Sequence, residues 1–163
     1  AAEGAAASSG PSFGAPTNVP TVALKWTIYE DDVSFGKRAP SLGTAEPIKD
    51  TPPTLGEKPT LVMFFAKSHK GDYTTIVDVS DLADKYGEFA NFVGIGIDAD
   101  KKDTEGLLKK VGKAMPNEYI PEFRVNFPLV WDAGKECKEA YRNVAKVMTI
   151  TPSACFLVDT DKK

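Results

Sequence analysis

The feature that most constrains the fold is a short apolar segment followed at once by a polar turn and an amphipathic helix. Residues 60–66 are almost entirely apolar, which is typical of a central strand covered on both faces of its sheet. After a polar turn at 67–72, apolar residues return at helical spacing, at Ile76, Val79, Leu82, Ala83 and Tyr86. We predict a helix here, with Asp72 as its N-cap and Gly87 just past its end.

Strands and helices go on alternating through the rest of the chain. Further strands are predicted at 91–98, 127–132 and 153–159. One helix begins at Asp103 or Thr104 and carries Leu107, Leu108, Val111 and Met115; another runs from 135 to 146 with one buried side made of Cys137, Ala140, Tyr141 and Val144. This order predicts an α/β fold in which parallel strands are joined by helical crossovers.

The N-terminal third differs in composition from this compact part. Residues 1–20 are a low-complexity arm of Ala, Ser, Gly and Pro, and residues 21–58 are predicted as an irregular arm with one short strand. The compact domain is placed at 59–163. Its last residues suggest a hairpin turn without a returning strand, so either the chain is a fragment or its last strand has an edge that is open or paired by something else. Three aromatic residues in the arm either pack back on the domain or anchor a partner: Trp26, Tyr29 and Phe35.

Charge and composition exclude several kinds of function. The 163 residues suit one domain, and a net charge of −3 argues against nucleic acid as a partner. No apolar stretch reaches the length needed to span a bilayer, so no membrane partner is predicted. Two cysteines and one histidine are too few for a disulfide scaffold, a four-cysteine zinc site or a histidine-rich metal site. We therefore expect no metal or cofactor, and a cytoplasmic location because the N-terminus shows no secretory signal.

Three segments resemble the thioredoxin-like superfamily, in particular its redoxin, TlpA-like and tryparedoxin or nucleoredoxin-like branches. They are residues 59–66, 93–98 and 150–159, within a similarity that covers about 59–161. The resemblance implies a thioredoxin-like sheet with flanking helices, preceded here by the extended N-terminal arm. It also implies that Pro152 is a cis-proline opposite the active turn.

The chain departs from this superfamily at the active turn itself. The resemblance places the turn at Ser68, His69, Lys70, Gly71 and Asp72, with His69 and Asp72 where the two cysteines of the superfamily stand. Without sulfur, the usual dithiol chemistry cannot run in this turn. We therefore predict a redox-inactive structural or binding module and not an enzyme. It would dock on a protein partner or a larger assembly, and the superfamily includes cytoskeletal examples.

Other interpretations of the same residues stay open. Ser68, His69 and Asp72 are residue types of a hydrolase triad, although a solvated polar turn is the favoured interpretation. The start of the helix could bind a small anion or ligand, although capping by Asp72 is favoured there. A divergent thiol oxidoreductase could use Cys137 or Cys155, although both are predicted to be core residues.

Overall fold

The computed structural model describes residues 33–69, 71–114 and 125–162. These residues form one five-stranded sheet, flanked by three helices, in the strand order β1-β4-β3-β2-β5. β2, β3 and β4 are parallel, whereas β1 and β5 run antiparallel at the two edges. The prediction of an α/β fold with flanking helices is confirmed. The elements, in chain order, are β1 (Glu46–Lys49), β2 (Thr60–Phe65), α1 (Gly71–Tyr86), β3 (Asn91–Gly96), α2 (Lys101–Ala114), β4 (Leu129–Trp131), α3 (Glu136–Ala145) and β5 (Cys155–Val158).

The central strands are apolar on both faces because helices cover both. Met63 and Phe65 of β2 lie in one core cluster together with side chains of α1 and α2. Val62 and Phe64 point the other way, into a second cluster that contains Cys137 and Tyr141 of α3. Alternation of side chains along a strand produces this division. The sheet therefore separates two cores. Side chains on one face of β2 are covered by α1 and α2, and those on the other face are covered by α3.

The contact between α2 and the sheet is close at Gly96, the last residue of β3. A Cβ atom added to Gly96 would overlap the side chain of Thr104. Thr104 is fully buried, and its hydroxyl donates a hydrogen bond of 3.0 Å to Asp98. The glycine thus lets the first turn of α2 lie directly on the end of β3.

Two predicted helix starts differ from the structure. α1 begins at Gly71, so Asp72 lies in its first turn and is not the N-cap. α2 begins at Lys101, where the Asp100 carboxylate accepts a 2.8 Å hydrogen bond from the backbone N–H of Lys102. Asp100 therefore occupies the capping position that was assigned to Asp103 or Thr104. Those two side chains have other partners, because Asp103 pairs with Lys67 and Thr104 is buried against Asp98.

The sheet begins inside the segment that was predicted to be an irregular arm. β1 pairs with β4, with Glu46 opposite Trp131. Nearby residues of the same segment pack on the α3 side of the sheet, namely Ala39, Leu42, Ala45 and Leu55. The compact domain therefore starts before residue 59. The short strand predicted near the start of the 21–58 segment, and residues 1–20, lie outside the described residues.

β5 forms one edge of the sheet. It pairs with β2, and no other strand of the described residues lies on its outer side. The chain then turns at 159–162, where Lys162 donates its N–H to Asp159, and Lys162 accepts a 2.7 Å hydrogen bond from the N–H of Ala39. None of the three described helices combines the length and apolar character that crossing a bilayer requires.

Candidate thiol site

The candidate site lies where β2 ends, α1 begins and the turn before β5 approaches. The backbone joins these parts directly, since the N–H of Ser153 donates to the carbonyl of Phe64 at 2.7 Å and the N–H of Phe64 donates to Ala154 at 2.8 Å. Ligands of open α/β sheets generally bind at this carboxyl end of the parallel strands. The location therefore agrees with the turn that was predicted at 68–72.

Asp72 is the centre of the polar contacts at this site. Its side chain is completely buried, and its Oδ2 accepts a 2.7 Å hydrogen bond from the backbone N–H of Ala66. Its Oδ1 accepts hydrogen bonds from Nδ1 of His69, at 2.8 Å, and from the hydroxyl of Ser153. One carboxylate thus ties the turn before α1 to the turn before β5. These contacts explain why Asp72 does not cap the helix.

The hydrolase interpretation does not fit this geometry. The serine that shares the carboxylate is Ser153, not the exposed Ser68. Ser153 and His69 both bind the same oxygen of Asp72, whereas a triad needs the serine on the histidine. Lys70 lies outside the described residues, and Gly71 is the first residue of α1. Ser153 could not have been found from the local sequence, because it is 81 positions from Asp72.

The cation next to the helix start already has a partner. Nζ of Lys67 lies 2.5 Å from Oδ1 of Asp103, and this hydrogen bond raises the pKa of the Lys67 amine. The backbone N–H of Lys67 donates to both oxygens of Asp98, at 3.0 and 3.1 Å. This pairing gives the small-anion interpretation no support from Lys67. Within the part of the chain described here, no group of three His, Cys, Asp or Glu side chains could hold a metal ion.

Cys155 is the first residue of β5, and it is exposed. It pairs with Met63 of β2, so its side chain lies on the same sheet face as α1. Its Sγ is 3.6 Å from the carbonyl oxygen of Ser153. Neighbouring groups still cover part of the thiol, and this desolvation, together with the negative charge of Asp72, raises the pKa of Cys155. The prediction that Cys155 is a core residue is wrong, because this edge position of the sheet stays open to solvent.

Cys137 has the opposite environment. It lies in α3 with an exposed fraction of 1%, and its Sγ donates to the carbonyl of Leu42 at 2.7 Å. Burial raises the pKa of the Cys137 thiol to about 12, with smaller contributions from Asp132 and Glu136. The prediction of a core residue is therefore confirmed for Cys137. The sheet separates it from Cys155, both thiols are free, and among the described residues no second thiol lies beside Cys155.

The remaining predicted site residues have different outcomes. The described residues contain no cis peptide bond, so the cis geometry implied for Pro152 is not present. Pro152 is instead the second residue of a β-turn, closed by a 3.2 Å hydrogen bond from the N–H of Ala154 to Thr151, with Ser153 at φ 66°. A trans proline followed by a positive φ suits a type II turn. Trp26 and Tyr29 lie outside the described residues. Phe35 is 68% exposed, and its role as a partner anchor stays a prediction.

Comparison with known proteins identifies the fold. No protein-family model matches the chain, and no curated protein matches its sequence. Among solved structures, a thiol:disulfide interchange protein of the thioredoxin family from Chlorobium tepidum TLS has a TM-score of 0.57 and 20% identity, over 77% of this chain and 80% of that chain. A thiol:disulfide interchange protein from Bacteroides sp. has a TM-score of 0.57 and 16% identity, over 78% and 76%. The fold is thioredoxin-like.

The comparison of this thioredoxin-like chain with solved structures contradicts two predictions made from its sequence. The prediction of a redox-inactive module docking on a larger, for example cytoskeletal, assembly is wrong, and so is the prediction that the chain is not an enzyme. The finding that contradicts both predictions is that the two solved structures just compared are of thiol:disulfide interchange proteins. The absence of cysteine from the turn no longer argues against thiol chemistry, because the exposed thiol of Cys155 on β5 lies beside that turn.

Proposed function

We propose that this chain is a thiol–disulfide oxidoreductase that uses Cys155 as its single reactive thiol. One observation carries the proposal: Cys155 is exposed at the carboxyl end of the sheet, beside the turn that precedes α1. The shared fold with thiol:disulfide interchange proteins supports the same class of reaction. Cys137 is not a candidate, because it is buried and its pKa is raised to about 12.

The reaction is a pair of thiol–disulfide exchanges. The Cys155 thiolate attacks one sulfur of a substrate disulfide, so a bond forms between Sγ and that sulfur while the substrate disulfide breaks. The electron pair of the broken bond leaves on the second substrate sulfur, which takes up a proton. An external thiol then attacks the mixed disulfide and releases the Cys155 thiolate together with a new disulfide. The proposal uses an external thiol because, within the described part of the chain, no second cysteine reaches Cys155.

The environment of Cys155 sets how this reaction depends on pH. Desolvation and the charge of Asp72 raise the pKa of Cys155, so the protonated thiol predominates at neutral pH. A thiolate with a higher pKa is a stronger nucleophile once it forms. The rate should therefore rise about tenfold per pH unit until the pH reaches the pKa of Cys155.

The surroundings of Cys155 favour a substrate disulfide carried on a polypeptide. Leu157, two residues along β5 on the same face, is 62% exposed. Exposed apolar side chains near a reactive group can contact the residues that flank a disulfide. We therefore keep a protein partner as part of the proposal. We also keep the cytoplasm, a compartment that would hold Cys155 reduced.

Mixed-disulfide formation tests which thiol reacts. The folded protein is incubated with hydroxyethyl disulfide, a neutral probe, and its adducts are counted by intact-mass spectrometry. We expect one adduct on the wild type and on Cys137→Ser, and none on Cys155→Ser. Adduct formation on folded Cys155→Ser, or none on the wild type, would contradict the assignment.

Turnover tests the enzymatic claim separately. With excess glutathione as the external thiol, the wild type should accelerate reduction of a peptide disulfide above the uncatalysed rate, and Cys155→Ser should not. The Cys137→Ser variant is the matched control and should keep the wild-type rate. If adducts form on Cys155 without any acceleration, the chain carries a reactive thiol but is not an oxidoreductase.

A further inference from the structure

We propose that Asp72 makes Cys155 selective for disulfides that carry positive charge near the sulfur atoms. This inference rests on the proposed function, since it names the substrate class of the same thiol. It assigns Asp72 a specificity-determining role at the position where the resemblance places a cysteine. The argument depends on where the carboxylate is held and on what surrounds the thiol.

The first step is that a short series of contacts fixes the carboxylate beside the thiol. Asp72 accepts hydrogen bonds from Ser153 and His69 on one oxygen and from the backbone N–H of Ala66 on the other. The carbonyl of Ser153 in turn lies 3.6 Å from Sγ of Cys155. The charge thus cannot swing away into solvent, because the Asp72 side chain is completely buried and both of its oxygens accept hydrogen bonds.

The second step is that few other charged groups act on the Cys155 thiol besides Asp72. The residue paired with Cys155 on β2 is the apolar, fully buried Met63. Among the described residues, Asp72 is the charged group that acts on the Cys155 thiol, and its effect raises the pKa of that thiol. The nearby cation, Lys67, is paired with Asp103. His69 contacts Asp72 and becomes an opposing charge only when it is protonated.

The third step concerns the approaching disulfide. A fixed negative charge attracts a cationic group and repels an anionic one at the same distance, and a buried charge is screened less by salt than an exposed one. The effect acts on the encounter with Cys155 and on the mixed disulfide that follows. It therefore changes the relative rates of two disulfides, which the protonation state of the thiol alone does not change.

The experiment compares two small disulfides of opposite charge on the same protein at pH 8. Cystamine is cationic and glutathione disulfide is anionic, and mixed-disulfide formation on Cys155 is followed by mass spectrometry in the full chain. Each pair of rates is divided by the same pair measured with 2-mercaptoethanol as the attacking thiol. For the wild type we expect a normalised preference for cystamine of about threefold to tenfold. The thiolate fraction cancels in this ratio.

Two variants separate the charge from the fold. Asp72→Asn should bring the normalised preference close to one, whereas Asp78→Asn, which removes an exposed carboxylate of the same helix, should leave it unchanged. Ser153→Ala removes a hydrogen bond but keeps the charge, so its preference should remain. Circular dichroism checks that each variant folds, and Asp72→Ser replaces Asp72→Asn if the latter does not. If neither variant folds, the proposal is overturned, because Asp72 then serves the whole fold.

The outcomes also separate this inference from the proposed function. An unchanged cystamine preference in folded Asp72→Asn, or no preference in the wild type, overturns the selectivity while turnover at Cys155 still stands. A preference that depends on Asp72, in a protein without turnover, keeps the selectivity of the thiol but removes the enzymatic proposal. If Cys155 forms no adduct with any disulfide, both fail.

Discussion

The two cysteines show how strongly position changes the chemistry of one residue type. Cys137 lies on the buried side of α3, and its thiol donates a hydrogen bond to the carbonyl of Leu42 in the segment before β1. Cys155 lies on an edge strand, where one side of the thiol is open to solvent. Both thiols have raised pKa values, with desolvation as the largest cause. Access to solvent, and not pKa alone, therefore decides which of them can meet a disulfide.

The buried thiol of Cys137 should make stability depend on pH in the alkaline range. Its pKa rises from 9.0 to about 12 on folding, so between these values the unfolded chain binds fewer protons than the folded one. The contribution of the protonated Cys137 thiol to the free energy of unfolding is therefore fully present below about pH 9. It falls as the pH rises towards 12, by up to about 1.4 kcal/mol per pH unit. Urea unfolding at pH 8 and pH 10 measures this slope. Cys137→Ala should reduce it, and an equal slope in both proteins would contradict the pKa.

For single residues, the sequence predicted the residue types of the site but not their hydrogen-bond partners. The strand, turn and helix follow one another as predicted, with His69 between β2 and α1, whereas Asp72 lies in the first turn of α1. Ser153 was missed as a partner of Asp72 because only the pairing of β2 with β5 brings them together. The exposure of Cys155 was missed for a related reason, since an apolar strand does not reveal whether it lies at the centre or the edge of a sheet.

The strands differ in how well the sequence predicts them. β2 and β3 were predicted closely because both are long apolar segments buried on two faces. β1 was not predicted, since its four residues, Glu46–Lys49, alternate weakly and include Pro47. Proline is tolerated there because β1 is an edge strand. Edge strands of this kind depend on the partner strand for their existence, and no local pattern marks them.

The contact between β3 and α2 gives a test at the scale of elements. Gly96→Ala places a methyl group against the buried Thr104, so the helix must shift, and we expect a loss of about 2 to 4 kcal/mol. Gly106→Ala is the matched control, because its nearest neighbour is the flexible end of Lys67 at 4.0 Å. Alanine favours the interior of a helix, so this change should stabilise by up to about 1 kcal/mol. Equal effects in thermal unfolding would count against the packing described here.

For the molecule as a whole, the alternation of strands and helices predicted an α/β fold, and the resemblance of three segments indicated that this fold is thioredoxin-like. Neither observation showed which thiol reaches solvent and which lies in a core, and the proposed function rests on that difference. The boundary at residue 59 was drawn from composition and from the extent of the resemblance, and it separates β1 from the sheet to which β1 belongs. Proline and glycine between 36 and 59 resemble a linker in composition, although several neighbours pack on the core.

A shortened chain tests how much the first 58 residues contribute to the domain. Their loss would remove β1, the hydrogen bond from Cys137 to Leu42 and the hydrogen bond from Tyr141 to the Pro40 carbonyl. We expect this chain to be several kcal/mol less stable and to label at Cys137 with maleimide, whereas a chain that lacks only residues 1–32 should protect Cys137. Equal protection of Cys137 in both chains would show that the compact domain does begin at 59.

The position of the sheet between the two sulfur atoms limits the oxidised forms of this protein. A disulfide between Cys137 and Cys155 of one molecule would require the strands to separate first, so it cannot form in the folded protein. A disulfide that forms on Cys155 of the folded protein during air oxidation must instead join it to another molecule, and a disulfide-linked pair of chains would dissociate on addition of dithiothreitol.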